Sequence, residues 1–110
     1  MPSFSKNEVI LVRYPFSDLT AAKVRPAVVV GATHPSEDYL VVPLTSRTTR
    51  LRAGEFTMSD WRASGLNVPS AVKHGIYTIH ESLILKSVGR LSASDAQRLE
   101  QSLRQWLGLP

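Results

Sequence analysis

The sequence contains no cysteine, so it cannot form a disulfide, supply a thiol nucleophile or bind zinc through thiolates. It has no apolar run near the roughly 20 residues that span a bilayer, and its start lacks the basic-then-apolar pattern of a signal peptide. Its three histidines show no metal-ligand spacing. Glycine-rich phosphate loops and nucleophile-elbow motifs are missing too, which disfavours nucleotide and serine hydrolases. We therefore expect a cytoplasmic protein with no membrane segment, metal or cofactor.

The composition fits one folded domain with a moderately basic charge. A chain of 110 residues that is 43% hydrophobic and 20% charged suits a single domain over residues 1–110. Lys and Arg number 13 against 9 Asp and Glu, which gives a net charge of +4. Arg47, Arg50 and Arg52 crowd a stretch that has no acid between Tyr39 and Ala53. A local cationic patch suited to a polyanion is therefore expected.

Short segments rich in β-branched and aromatic residues predict a mainly β fold. The predicted strands cover 8–14, 27–31, 39–44, 54–58, 71–73, 75–79 and 82–88. Those at 27–31 and 39–44 are almost continuously apolar, which favours central strands covered on both faces. Ser59 to Gly65 reads as one helical turn, begun by the serine and stopped by the glycine. Trp61 in that turn is either a core residue or an exposed anchor.

One long helix is predicted to begin near Ser92 or Ser94. Ser94 with Gln97 forms a candidate capping box. An apolar stripe at helical spacing predicts the face that packs on the core; it comprises Ala96, Leu99, Leu103, Trp106 and Leu107. Short strands followed by a terminal helix predict a small α+β protein, a β-barrel with one helix packed against it.

A hairpin of the two central strands would bring chemistry-bearing residues together. If the chain turns near Pro35, facing residues have numbers that sum to about 70. Val30 then lies opposite Leu40, and Arg25 lies opposite Thr45. Arg25 precedes a proline, which favours an extended strand entrance, and Pro43 suggests an edge position or a bulge. The three clustered arginines, Thr45 and Ser46 would meet Arg25 there, beneath the loop 16–23.

This cluster suits a phosphate, because arginine presents a rigid fork of donors and hydroxyls add neutral hydrogen bonds. RNA carries its own nucleophile in the 2′-hydroxyl, so cleavage needs charge stabilisation and a proton shuttle rather than a metal. The structural alternative is that Arg25 pairs with Asp18 and Thr45 satisfies a backbone group. His34 and His80 are expected at the surface or in the core. His74, beside Lys73, could line a site or form a solvated pair.

The chain resembles the MazF/PemK-like toxins of toxin–antitoxin systems. The resemblance lies in Val9–Val12, Tyr14 to Thr20, Lys23 to Val30 and Val42 to Ser46. The segment from Ser82 to the final helix is similar to the PemK-like branch. The match covers nearly the whole chain in the expected order.

The resemblance implies a homodimeric, metal-independent endoribonuclease on a small, partly open SH3-like barrel. Such toxins cut single-stranded RNA to 2′,3′-cyclic phosphate and 5′-hydroxyl ends, and a cognate antitoxin lays a disordered segment across the RNA groove. Arg25 matches the catalytic arginine, which stabilises the phosphorane and is a candidate proton shuttle. Thr45 matches the catalytic threonine. The residues expected to support RNA binding are Ser17, Asp18, Lys23, Ser46, Arg47, Arg50, Lys73 and His74.

The chain departs from the family pattern at two places. Asn7-Glu8 replaces the usual Gly-Asp before the first strand. Lys73-His74-Gly75 stands where some members carry an Arg-x-Asp pair, so no carboxylate is expected there and Lys73 or His74 is the candidate substitute. Two other functions remain open: a non-catalytic barrel that binds nucleic acid or a protein such as a topoisomerase, and an adaptor for an acidic partner.

Overall fold

The computed structural model describes residues 3–14, 23–32 and 37–110. Within these ranges the elements follow in the order β1 (Glu8–Arg13), β2 (Val24–Ala32), β3 (Asp38–Thr45), β4 (Phe56–Thr57), β5 (Ala71–Val72), β6 (Tyr77–His80), β7 (Ile84–Arg90) and α1 (Ala93–Leu107). A single 3-10 turn, Glu81–Leu83, joins β6 to β7 and shortens the strand predicted at 82–88 from its start. The predicted strands and the terminal helix are otherwise in place.

The strands form one antiparallel sheet that does not close into a complete barrel. Its order is β4-β5-β3-β2-β1-β7, and β6 pairs with β3 beside that path. Strand β3 is central because it pairs with β2 on one side and with both β6 and β5 on the other. The prediction of a mainly β, partly open barrel with a C-terminal helix is confirmed.

The β2–β3 hairpin has the predicted register over its middle. Ala27 lies opposite Pro43 and Val29 opposite Val41. Beyond Val29 the register shifts, so Leu40 faces Gly31 and the predicted Val30–Leu40 pair is wrong. The cause is an extra residue in β2, a bulge of the kind that adds local twist to antiparallel pairs.

Pro43 lies inside a central strand rather than at an edge or bulge, which corrects the sequence-based expectation. It is buried and opposite Ala27, and its carbonyl accepts the N–H of Lys73 at 2.9 Å. The backbone groups of one residue point to the same side of a strand. The missing N–H of Pro43 therefore faces the side where β3 changes partner between β6 and β5, so no ladder bond is lost to β2.

Two apolar clusters pack on opposite faces of the sheet. One contains Val28, Val42 and Phe56, and the residues of α1 that face the sheet complete it; the other contains Ile10, Val29 and Val41. Neighbouring residues of β2 and β3 alternate between the clusters, as the two-residue period of a strand requires. The continuous apolar runs of β2 and β3 are explained by this burial on both faces.

Helix α1 begins at the earlier of its two predicted starts, so the candidate capping box of Ser94 and Gln97 is not the cap that the structure uses. Ser92 is the N-cap, and its side chain accepts the N–H of Asp95 at 3.1 Å. Gly108 ends the helix in the left-handed conformation. The predicted stripe packs on the sheet except for Leu107, which is 57% exposed because the helix ends there.

The segment before β5 is fixed to the helix by a buried carboxylate. Asp95 is fully buried and accepts the N–H groups of Ser59 at 3.0 Å and Asp60 at 2.9 Å. The chain then makes a turn that ends in Gly65, where a Cβ would lie 2.1 Å from the carbonyl oxygen of Val88. Trp61 in this turn is partly buried against the core, so it is a core-packing residue and not an exposed anchor.

In the described part of the chain, no helix combines the length and the apolar character that a membrane span requires.

Candidate functional site

A cationic cleft opens where β2 begins and β3 ends. Its cavity has a volume of about 520 Å³. Five cationic side chains and one carboxylate line it, together with neutral residues; the charged ones are Arg25, Arg47, Arg50, Arg52, Lys73 and Glu55. The ion pairs found among the described residues join Lys6 and Arg104 to Glu100 and His80 to Glu37, and none of these residues lines the cleft. The cleft therefore carries an excess of positive charge.

Arg25 is positioned by strands on both sides of β2. Val12 of β1 lies opposite it, and the β2–β3 register, continued by two residues from Ala27 and Pro43, places Thr45 on its other side. The side chain of Arg25 is exposed, whereas Val12 is fully buried. A rigid, buried sheet thus presents a solvent-accessible guanidinium at the cleft wall.

Thr45 ends β3, and its hydroxyl already has one partner. Its Oγ1 accepts the N–H of Arg47 at 3.1 Å. This is the backbone role that the structural alternative assigned to Thr45. A hydroxyl offers one donor as well as its acceptor lone pairs, so the bond fixes the oxygen and leaves the O–H to donate into the cleft.

The arginines of the cleft lie on the loop that follows β3. Arg47, Arg50 and Arg52 all contribute to the cleft wall, as their sequence clustering predicts. Arg50 has a φ of 57°, in the left-handed region that costs a side-chain-bearing residue roughly 1–2 kcal/mol. Such local strain is commonly found where function constrains the backbone.

Glu55 is the charged residue of the cleft that the sequence analysis did not predict. Its Oε1 accepts the N–H of Arg52 at 2.7 Å, and its Oε2 accepts the N–H of His74 at 2.7 Å. Residues 73–75 themselves contain no carboxylate, but the fold brings one beside Lys73 and His74 from another segment of the chain. The pairing of β4 with β5 places it there: Phe56 lies opposite Val72, so the residue that precedes β4 comes beside Lys73.

The environment of Glu55 favours its ionised form. Burial by itself raises the pKa of the carboxyl, but the backbone hydrogen bonds from Arg52 and His74, together with the electrostatic effects of these two residues, outweigh it. The net effect lowers the pKa below its ordinary value of 4.5. Glu55 is therefore a carboxylate throughout the neutral range.

A second cavity of about 490 Å³ shares Arg25 and Thr45 with the cationic cleft. Its other lining residues include Ser46, Asn67 and Lys86 and a set of apolar side chains, Leu11, Val24, Leu66, Val68 and Val88. Arg25 and Thr45 thus lie between a strongly cationic space and one lined by both polar and apolar side chains.

The structure brings most of the predicted site residues together. Arg25, Thr45, Arg47, Arg50, Lys73 and His74 line the cationic cleft, and Ser46 lines the second cavity. Lys23 is exposed, and its carbonyl accepts the N–H of Tyr14, but it is not among the described residues that line either cavity. Ser17, Asp18 and His34 lie outside the described residues. His80 is a surface residue that bonds Glu37 and caps the 3-10 turn.

Among residues 3–14, 23–32 and 37–110, no group of three or more His, Asp or Glu side chains is arranged to hold a metal ion.

The fold and the cleft define a small, open β-sheet protein that presents an arginine and a threonine between two cavities. The chain belongs to the family of PemK-like, MazF-like toxins of type II toxin–antitoxin systems, whose pattern it matches over residues 5–107. Among curated proteins, no sequence matches the chain.

Solved structures share this fold over nearly the full length of both chains. The toxin MazF-mt6 of Mycobacterium tuberculosis is 22% identical, with a TM-score of 0.74 over 94% of this chain and 98% of its own. MazF from Deinococcus radiodurans is 16% identical, with a TM-score of 0.77 over 99% and 100%. An endoribonuclease from a mycobacterial species, solved in complex with its cognate antitoxin, is 18% identical, with a TM-score of 0.75 over 100% and 98%. At these identities the likeness concerns the fold.

Proposed function

We propose that this protein is the toxin of a type II toxin–antitoxin system and acts as a metal-independent, sequence-specific endoribonuclease. It would cut single-stranded RNA, mRNA above all, to 2′,3′-cyclic phosphate and 5′-hydroxyl ends and so inhibit translation and growth. The observation that carries the proposal is the meeting of Arg25 and Thr45 at the wall of a cleft lined by five cations. Membership of the toxin family supports it.

The cleft has the parts that such a reaction needs. The 2′-oxygen of RNA attacks the adjacent phosphorus, the 2′-proton leaves, and the 5′-oxygen departs with a proton. The guanidinium of Arg25 is a rigid fork that matches two non-bridging oxygens of the phosphorane. The O–H of Thr45, held by its bond to Arg47, donates to one of those oxygens. Preorganised donors of this kind stabilise charge that develops in the transition state.

Proton transfer falls to side chains that line the same cleft. His74 and Lys73 lie there with Arg25, and histidine is the side chain most often used for general acid–base catalysis. Glu55 is not suited to be the base, because both of its oxygens accept backbone N–H groups. We assign proton transfer to His74, with Arg25 and Lys73 as the adjacent donors.

The cleft also suits an acidic protein segment. A solved relative by fold is in complex with its cognate antitoxin, and the positive charge of the cleft would attract acidic side chains of such a partner. We propose a cognate antitoxin that covers the cationic cleft, and a homodimeric toxin.

The test is incubation of the protein with a long single-stranded RNA in EDTA, followed by mapping of the product ends. Discrete cuts with 5′-hydroxyl and cyclic-phosphate ends are expected. They should disappear in Arg25→Ala and persist in Arg62→Ala, whose arginine lies outside both cavities. RNA that is bound but remains intact would overturn the enzymatic proposal in favour of a non-catalytic binding module.

A further inference from the structure

We propose that Glu55 is the positioning residue of the cleft: it fastens the arginine-bearing loop to the segment that carries His74, and helix α1 fastens Glu55. The proposal rests on the proposed function for the identity of the bound RNA. The tethering itself stands on contacts that do not depend on that identity.

The carboxylate joins two segments that are distant in sequence. Its two oxygens accept the N–H groups of Arg52 and His74, each at 2.7 Å. Hydrogen bonds to an ionised acceptor are shorter and about twice as strong as neutral ones. The loop that carries Arg47 and Arg50 is thereby held against the end of β5.

The turn that presents Glu55 has a conformation that depends on glycine. The N–H of Glu55 donates to the carbonyl of Arg52 at 2.9 Å, which closes a four-residue turn. Gly54, its third residue, has a φ of 86°, as a type II turn requires. The backbone bond and the side-chain bond therefore tie Arg52 and Glu55 to each other in both directions.

Helix α1 holds this turn from the other side. The hydroxyl of Ser102 donates to the carbonyl of Gly54 at 2.6 Å, and the indole N–H of Trp106 donates to the carbonyl of Ala53 at 3.0 Å. A Cβ on Gly54 would lie 2.2 Å from Nε1 of Trp106, so the helix and the turn are in direct contact.

The same tryptophan reaches the second segment that Glu55 binds. The rings of Trp106 and His74 meet edge to face, with centroids 4.9 Å apart and planes at 84°. One residue of the terminal helix therefore contacts both sides of the tether. This geometry makes α1 a support of the cleft as well as a cover for the core.

Positioning and simple electrostatics predict opposite results when the charge of Glu55 is removed. Glu55→Gln makes the cleft more positive, so charge alone predicts tighter RNA binding. If the tether is lost, the loop must instead be ordered when RNA binds, and the entropic cost of that ordering weakens RNA binding. The sign of the change in affinity therefore distinguishes the two roles.

The binding experiment uses an RNA with 2′-fluoro sugars, which lacks the nucleophile and cannot be cut. We expect Glu55→Gln to bind it about three- to tenfold more weakly than wild type, the equivalent of one or two hydrogen bonds. Glu100→Gln, on the solvent side of α1, is the matched control and should bind as wild type. Tighter or unchanged binding by Glu55→Gln would overturn the proposal.

Two further measurements separate the tether from general damage to the fold and from failure of the proposed function. In an NMR titration of the wild type, the amide protons of Arg52 and His74 should shift together with one midpoint, since one carboxylate binds both; separate midpoints would refute the tether.

Trp106→Phe keeps a ring near His74 but loses the bond to Ala53, so it should also weaken binding. Trp61→Phe, which packs on the same core, is its control. An absence of RNA cleavage in wild type would refute the proposed function and leave the NMR test standing.

Discussion

Removal of one cleft arginine should change the salt dependence of RNA binding by a predictable amount. Each phosphate contact to a single strand contributes a slope of about −0.7 in log affinity against log salt. The five cations of the cleft therefore predict a slope of about −3.5 if each meets a phosphate. Between 50 and 200 mM salt, affinity should then fall about 100-fold.

Arg50→Gly is the perturbation that removes one charge with the least damage to the backbone. Arg50 has a φ of 57°, a conformation that glycine adopts without steric cost. The relief of about 1 kcal/mol offsets the greater entropy of glycine in the unfolded chain. The free energy of unfolding should therefore change by less than about 1 kcal/mol. The slope of log affinity against log salt should become less steep, about −2.8 in place of about −3.5.

The assay is fluorescence anisotropy with a labelled 2′-fluoro RNA at a series of salt concentrations. Urea unfolding of the same preparation checks that the fold is intact. Arg62→Gln loses the same charge outside the cleft and should keep the wild-type slope. An unchanged slope in Arg50→Gly, or an equal decrease in Arg62→Gln, would refute the view that the cleft arginines contact phosphates.

Three other predictions follow from the same geometry. Arg25→Lys keeps the charge but loses the guanidinium fork, so single-turnover cleavage should slow by about 100-fold or more with RNA affinity little changed; equal losses in both would contradict the assigned role. Asp95→Ala removes the buried acceptor that the N–H groups of Ser59 and Asp60 share, so urea unfolding should show a loss of about 3 kcal/mol, with a smaller loss in Asp95→Asn. Environment lowers the pKa of both Glu55 and Glu8, so the stability that these carboxylates supply is present above pH 4.5 and lost as the pH falls below it. Glu55→Gln should flatten the decline in unfolding free energy below pH 4.5, and an unchanged curve would show that this carboxylate is not stabilising.

The meeting of Arg25 and Thr45 could be predicted to within one residue, because a hairpin of two neighbouring strands is a local pattern. Two apolar strands joined by a short connection pair as antiparallel neighbours, and their register follows from the length of the turn. The pairs next to the turn have numbers that sum to 71, and the extra residue of β2 between Val29 and Gly31 changes the sum to 70 on the side of Arg25. The bulge therefore contributes to placing Thr45, and not Ser46, beside Arg25. Arg47 and Arg50 follow Thr45 within five residues, so the end of β3 places them at the same cleft.

The sequence left two serines, Ser92 and Ser94, as possible starts of helix α1, and the structure selects Ser92. Ser94 and Gln97 have the spacing of a capping box, and Ser92 and Asp95 have a serine and an acid at the same spacing. Asp95 is fully buried against the N–H groups of Ser59 and Asp60, more than 30 positions away in the chain. Asp95 thus joins the first turn of the helix, where its own N–H is bound by Ser92, to a distant segment, a contact that the spacing of the serines does not reveal.

The carboxylate of the cleft was missed for the same reason, and it changes how the departure at residues 73–75 is understood. A search along the chain near His74 finds no acid, because the acid lies on another strand. The β4–β5 pairing sets Phe56 opposite Val72, and its continuation brings Glu55 beside Lys73, where it accepts the N–H of His74. Strands of two residues leave almost no periodic signal, so this pairing could not be derived from the sequence. A negative charge is thus present at this end of the cleft, but with both oxygens bound to the backbone it can hold the cleft in shape rather than accept a proton.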